Sequence, residues 1–451
     1  MDRRNFLKTL GTGVVATTLT QWLTDYAQAQ TTTAATAPAT AAAPKPNIIF
    51  ILSDDVGLGD IGCYGGSFKT PNIDALAATG TRFERCYSTP LCGPSRCQIL
   101  TGQYPFRTGL INNESANAIS PKKQIMLPTY MKQAGYVTAS VGKWGQMSLG
   151  PGAWGFDEFL VFQGSGKYYA NQGPYRVNGQ SKALADNEYL PDVMHTFAVD
   201  FIQRHKDNAK PFFLYYPMSH IHGPILKTPD SQPGSNLYAD NIAYMDKLVG
   251  KLVAELDRLK LRENTLILFS GDNGTAGNPN RSPVNGKPLS GAKGSMREGG
   301  SRVPLIANWT GKTPAGKVIP DLVDFSDFVP TFASLAAAPL PKDRPLDGTS
   351  FAPRLLDQPP APREWVYVEL DGRRYVRHDR FKLTGANELY DLKDAPFTET
   401  LLPADSPDLA ATAARKRLHE VLTALVGADQ LTDPPGLNKP NKNRPGKNKQ
   451  P

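Results

Sequence analysis

The chain has 451 residues, 40% of them hydrophobic and 20% charged, enough to bury a large core and too apolar for a disordered or fibrous protein. Its formal net charge of +8 does not point to nucleic acid, because five of the positives, Lys439, Lys442, Arg444, Lys447 and Lys449, crowd a Pro/Asn/Lys-rich tail that reads as disordered over 431–451. Four cysteines cannot staple a chain of this length, which excludes a disulfide scaffold and leaves Cys63, Cys86 and Cys97 as structural thiols.

At the N-terminus, Arg3-Arg4-Asn5-Phe6-Leu7-Lys8 precedes a mildly apolar run to Leu23 and then Ala27-Gln28-Ala29, a pattern that suits a signal peptidase. Residues 1–29 resemble a twin-arginine signal, although Asp2 stands where Ser or Thr is usual. Export by the twin-arginine machinery to a periplasmic or extracellular location is therefore expected. The apolar run is too short and diluted to span a membrane, and no cysteine follows it to carry a lipid, so no membrane anchor is expected. Residues 30–46, almost all Thr, Ala and Pro, read as a linker.

The folded body opens with Asn47-Ile48-Ile49-Phe50-Ile51-Leu52, a continuous apolar run of the kind a parallel strand shows when both faces are covered. It ends in Asp54-Asp55, two carboxylates at the carboxyl end of a strand, where ligands to a metal and a helix cap in a solvated turn are both reasonable readings. Pro71 to Gly80 reads as a helix, and a short strand near Phe83 leads to Cys92-Gly93-Pro94-Ser95-Arg96-Cys97-Gln98-Ile99-Leu100-Thr101-Gly102. With Pro94 as its first residue, a helix here sets the Cys92 sulfur at its positive end and Arg96 one turn along.

Leu127 to Ala134 reads as a helix and Tyr136 to Val141 as a strand delivering Gly142-Lys143-Trp144. The Tyr/Arg/Lys-rich stretch from Gln163 to Gln180 has no regular pattern; it fits a reader of anionic or sugar substrates and a solvated loop about equally. Pro211 to Tyr216 is an apolar strand followed by His220 and His222, and Ala239 to Lys260 is helical in spacing. Thr265 to Phe269 is a strand ending in Asp272-Asn273-Gly274, which alone would be a turn. Lys293 precedes a strand from Leu305 to Trp309, and Asp324 to Ala337 reads as a helix. Short strands at Trp365–Leu370, Arg374–Arg377, Phe381–Leu383 and around Leu389–Tyr390 lead to a closing helix from Leu409 to Leu425.

The cysteine stretch resembles the signature of the type I sulfatases of the alkaline phosphatase superfamily, in which the cysteine is oxidised to formylglycine by a formylglycine-generating enzyme. The blocks from Asn47 to about Pro330 stand in that family's order. The resemblance implies an α/β fold: a large mixed, mostly parallel sheet sandwiched by helices over 47–357, with a smaller C-terminal antiparallel α+β subdomain over 358–430. It implies that Asp54, Asp55, Asp272 and Asn273 bind a metal together with Cys92. Four oxygen donors suit a hard cation, calcium or magnesium. Arg96 and Lys143 are implied to position the formylglycine, and His222 and Lys293 to hold the sulfate, with His222 also protonating the leaving oxygen.

The implied activity is hydrolysis of sulfate monoesters of a sugar or aryl alcohol, with a sulfated small molecule or glycan as substrate. The hydrated aldehyde carries two hydroxyls on one carbon, one to attack sulfur and one to expel sulfate afterwards. Two rivals are a phosphoester or phosphonate hydrolase of the same superfamily and a catalytically dead sulfate-ester binding protein. One departure from the family's pattern stands out: after Gly-Lys-Trp a histidine is usual, whereas this chain has Gly145 and then Gln146, so either Gln146 or another residue takes that role, or the site works differently. His195, inside a helix-spaced run, is expected to be structural, and His220 is spare.

Overall fold

The computed structural model describes residues 45–145, 147–359, 362–431 and 433. The signal, nearly all of the linker, Gln146 and the tail from 434 onward lie outside them.

Ten strands form one sheet: β1 (Asn47–Ser53), β2 (Thr81–Tyr87), β3 (Val137–Lys143), β4 (Glu158–Phe162), β5 (Tyr175–Val177), β6 (Gln180–Lys182), β7 (Phe212–Pro217), β8 (Thr265–Gly271), β9 (Arg302–Asn308) and β10 (Lys317–Asp324). Their spatial order is β10-β2-β9-β8-β1-β7-β3-β4-β5-β6. Only β9 and β5 run against the rest, so the sheet is mostly parallel. The apolar run of β1 is central and feeds two cores. Ile49 and Ile51 point to one, with the helices Leu190–His205 and Leu237–Arg258. Ile48, Phe50 and Leu52 point to the other, with the helices Cys92–Thr101, Leu127–Gln133 and Phe328–Ala336. Each such side chain contributes about 1.5–3 kcal/mol of burial free energy, which is why a strand without polar alternation settles in the middle.

Most element ends lie within two residues of the sequence reading. The helix read as beginning at Pro94 starts at Cys92, with Leu91 as its cap, so the proline occupies its third position, where the missing N–H is still not needed. The helix read from Asp324 begins at Phe328, because β10, with Pro320 and Asp321 inside it, runs to Asp324. A proline is tolerated there since β10 is an edge strand. The stretch read as irregular holds the three-residue strands β5 and β6, too short to show a period.

A second sheet, β11 (Val366–Leu370), β12 (Arg373–Arg377), β13 (Phe381–Thr384), β14 (Leu389–Asp391) and β15 (Thr400–Leu402), is an antiparallel meander. The helix Leu409–Val426 covers one face through Leu418 and Leu422. The other face packs Val366, Val368 and Tyr375 against Tyr87 and Leu91, directly behind the start of the Cys92 helix.

Candidate active site

Parallel packing explains why distant carboxylates meet. β1 and β8 are paired in register up to Ser53 and Gly271, so Asp54-Asp55 and Asp272-Asn273 emerge side by side. β3 ends in Lys143 and β7 leads to His222 at the same edge. Because β9 runs the other way, the loop that precedes it brings Lys293 there too.

Two buried ionic units form the floor. Arg96, fully enclosed, donates from Nε (3.0 Å) and Nη2 (2.7 Å) to Asp272 Oδ2 and from Nη1 to the Lys143 carbonyl (3.0 Å). Lys143 Nζ donates to Asp54 Oδ2 at 2.6 Å. Burial alone would raise the Asp54 pKa, but Lys143, with help from Arg96, outweighs it and holds the carboxyl below its ordinary range. Asp55 sits in the left-handed region (φ 61°), where its N–H donates to Asp272 Oδ1 at 3.0 Å. Its Oδ1 accepts from Asn273 Nδ2 (2.9 Å) and from Lys293 Nζ. Burial opposes the Lys293 charge, yet Asp55 keeps that ammonium above its usual range. His222 lies on the open side with Nε2 3.8 Å from Asp55 Oδ2; its Nδ1 bonds the Gly223 carbonyl at 2.7 Å.

Ligand atoms of Asp54, Cys92 and Asp272 all lie within 4.8 Å of one another, as do those of Asp54, Asp55 and His222. All nine residues named from the sequence thus share one site. Asp54 Oδ1 and Asn273 Oδ1 are buried there without a hydrogen bond among the described residues, Arg96 Nη2 lying 3.8 Å from the former. Buried oxygens without a hydrogen bond are costly, and two of them among further carboxylates fit a hard divalent cation, so the donor set passes as a metal site.

One neighbour escaped the sequence reading. The Asn113 amide faces the Cys92 sulfur (Nδ2 at 3.7 Å, Oδ1 at 3.9 Å), while Oδ1 also accepts the Gly93 N–H at 3.1 Å. Asn112 fixes it by capping the turn that follows, taking N–H bonds from Glu114 and Ser115 at 3.1 and 2.9 Å. The Asn-x-x-Ser cap is readable in sequence, but its approach to Cys92 is not. Gly145 has φ 84°, and a Cβ there would meet Arg96 Cδ at 3.2 Å, so its backbone is shaped for glycine.

Tyr168, from the stretch read as irregular, is fully buried and donates to the Ser219 (3.1 Å) and His222 (2.8 Å) carbonyls, propping the His222 loop. His220 is enclosed as well: its carbonyl accepts the Asp54 N–H at 2.7 Å, its Nε2 meets Tyr189 Oη at 2.9 Å, and burial lowers its pKa to about 3. Burial pushes the thiols of Cys63 and Cys97 up to about 12, as befits inert structural groups.

The family model described as Sulfatase matches residues 46–338. The chain is 35% identical over 384 residues to N-acetylgalactosamine-6-sulfatase of Canis lupus familiaris, covering 76% of this chain and 72% of the relative. It is 34% identical over 391 residues to arylsulfatase A of Homo sapiens, covering 76% and 75%. Among solved structures, Ps i-CgsB in complex with k-i-k-neocarrahexaose is similar with a TM-score of 0.74 at 29% identity, over 84% of this chain and 92% of that one. The PsFucS1 sulfatase from Pseudoalteromonas sp. has a TM-score of 0.70 at 26% identity, over 86% and 92%.

Proposed function

The chain belongs to the sulfatase family and is a sulfuric-ester hydrolase, and on that premise we propose that it works through a formylglycine made from Cys92 and a calcium ion beside it. The observation that carries the metal is the pair of buried oxygens that accept no hydrogen bond among the described residues, Asp54 Oδ1 and Asn273 Oδ1. Asp54, Asp55, Asp272, Asn273 and residue 92 would hold the ion, whose chemistry is Lewis-acid polarisation and easier ionisation of a neighbouring hydroxyl. The hydrated aldehyde supplies one hydroxyl to attack sulfur and a second to release sulfate by breaking the carbon–oxygen bond.

The remaining work falls to fixed side chains. Arg96 and Lys143, both wholly buried, pin Asp272 and Asp54 in place through ion pairs, so nothing reorganises as charge gathers on the sulfuryl oxygens. Lys293 and His222, on the open side, hold the sulfate. His222 Nδ1 is committed to the Gly223 carbonyl, which leaves Nε2 as the atom that passes a proton to the leaving oxygen. Among the described residues, the Asn113 amide lies beside residue 92 and is placed to orient its hydroxyls.

Substrates are sulfate monoesters of a sugar or aryl alcohol, as the names of the relatives suggest. A formylglycine-generating enzyme is the required partner, and the twin-arginine pattern at Arg3-Arg4 supports export to the periplasm or beyond. No helix among the described residues is long and apolar enough to cross a membrane. Initial rates on matched aryl sulfate and aryl phosphate test the reaction, with mass spectrometry of the residue-92 peptide alongside. A phosphate preference, or active enzyme carrying only unmodified cysteine, would overturn the reading.

A further inference from the structure

A cavity of about 810 Å³ opens beside the nucleophile. Asn113, whose amide touches the Cys92 sulfur, is also part of its wall, as is Gly145, so the cavity continues the sulfate site into the region where the organic part of a substrate must lie. Trp144, Phe159 and Phe162 give it apolar surfaces suited to a sugar or aryl ring. Its two charged side chains, Lys167 and Arg176, are both cationic, and no acidic residue lines it among the described residues.

Arg176, on β5, is exposed, but Lys167 differs from ordinary surface charge. Lys167 is only 8% exposed, and among the described residues its ammonium has one acceptor, the Pro174 carbonyl at 2.8 Å. Neither Lys167 nor Arg176 has a carboxylate partner within ion-pair distance among the described residues. A buried, unpaired ammonium is costly, and burial lowers its pKa accordingly. The cost is offset when an anion fills the cavity. Lys167 is also held in place, since the next residue, Tyr168, is bonded to the His222 carbonyl.

We propose that this cavity binds a second anionic group of the substrate, a carboxylate or further sulfate on the same or a neighbouring ring, through Lys167 and Arg176. The proposal rests on the sulfatase reading, so its test is made without turnover. Calorimetry on the calcium-loaded Cys92→Ala protein would compare two ligand pairs. One is a sulfated N-acetylgalactosamine–uronate disaccharide against its carboxyl-reduced form; the other is a disulfated monosaccharide against its monosulfated form.

The second anion should tighten binding about tenfold or more in at least one pair, and which pair responds identifies carboxylate or sulfate. Lys167→Met with Arg176→Met should abolish that ratio, and Lys167→Arg should keep most of it. Equal affinities within both pairs, or a ratio that survives the double substitution, would overturn the proposal. A correctly behaving ratio in a protein whose unsubstituted form hydrolyses no sulfate ester would instead sink the catalytic reading and leave the cavity's role standing.

Discussion

Replacing residue 92 separates attack from release. Cys92→Ser keeps one oxygen able to attack sulfur, but the sulfoserine formed has no second hydroxyl, so it should accumulate as a covalent adduct detectable by weighing the peptide after incubation with an aryl sulfate. Cys92→Ala should bind reversibly and show no adduct; sustained turnover by the serine variant would refute the two-hydroxyl mechanism. Asn113→Ala should lower kcat about tenfold with little change in KM, because an orienting hydrogen bond is felt chiefly at the transition state. An unchanged kcat would assign orientation of the hydrate elsewhere. Cys92 could be found from its neighbours in sequence, since a helix start is a local property. Asn113 could not: it is 21 positions away with no motif of its own, and only the chain's path past the helix start makes it relevant.

At the scale of elements, the helix Leu190–His205 carries a titration that the catalytic reading does not need. His195 is largely enclosed, with Nδ1 lacking a hydrogen bond among the described residues, and burial, reinforced by Lys251, lowers its pKa to about 4. Above about pH 6.5 the imidazole is neutral whether the chain is folded or not, and its full contribution is present. As pH falls from there towards 4 the unfolded chain takes up a proton that the folded one refuses, so stability should drop by about 1.4 kcal/mol per pH unit from this group. Denaturant titrations between pH 7 and 4.5 should show His195→Gln with a shallower acid limb; identical limbs would mean that another group governs it. The strands divide similarly between readable and unreadable: β1 announces itself through unbroken apolar residues, whereas β10, broken by Pro320 and Asp321, is a strand because β2 offers it an edge.

The whole molecule is tied together behind the site. Arg377 of β12 reaches Tyr87 at the end of β2 and lies 3.7 Å from Glu298, which opens the short helix before β9; both charges are almost fully enclosed. Burial opposes the Glu298 charge, but Arg377 and then Arg302 hold its pKa below the ordinary value. Arg377→Met leaves that carboxylate short of its main partner and should cost about 3 kcal/mol in denaturant unfolding. A loss under about 1 kcal/mol would mean that the small sheet is not a support for the large one. Calcium should act on the same global stability. An ion bound to the folded site alone adds about 2.7 kcal/mol at a hundredfold excess over its Kd, so Tm should rise with calcium and fall on chelation. A Tm indifferent to chelator, in protein shown to be metal-free, would remove the metal from this site.

The sequence by itself pointed to the nine residues that the structure gathers and to the central strands and long helices, because both leave local marks: unbroken apolar runs, helical spacing, and polar residues placed just past strand ends. It also revealed the missing histidine at Gly145, though not why glycine fits there. Tertiary structure alone decided that β1 and β8 pair in register, bringing Asp54 and Asp55 to Asp272 and Asn273, and that Asn113 comes to rest against Cys92. It likewise separated the stretch from Gln163 to Gln180 into a buried prop, Tyr168, and two cavity cations, Lys167 and Arg176. The physical reason is that burial and pairing depend on surfaces supplied by residues far along the chain. A tyrosine or lysine carries the same local signal whether water or a folded core will surround it.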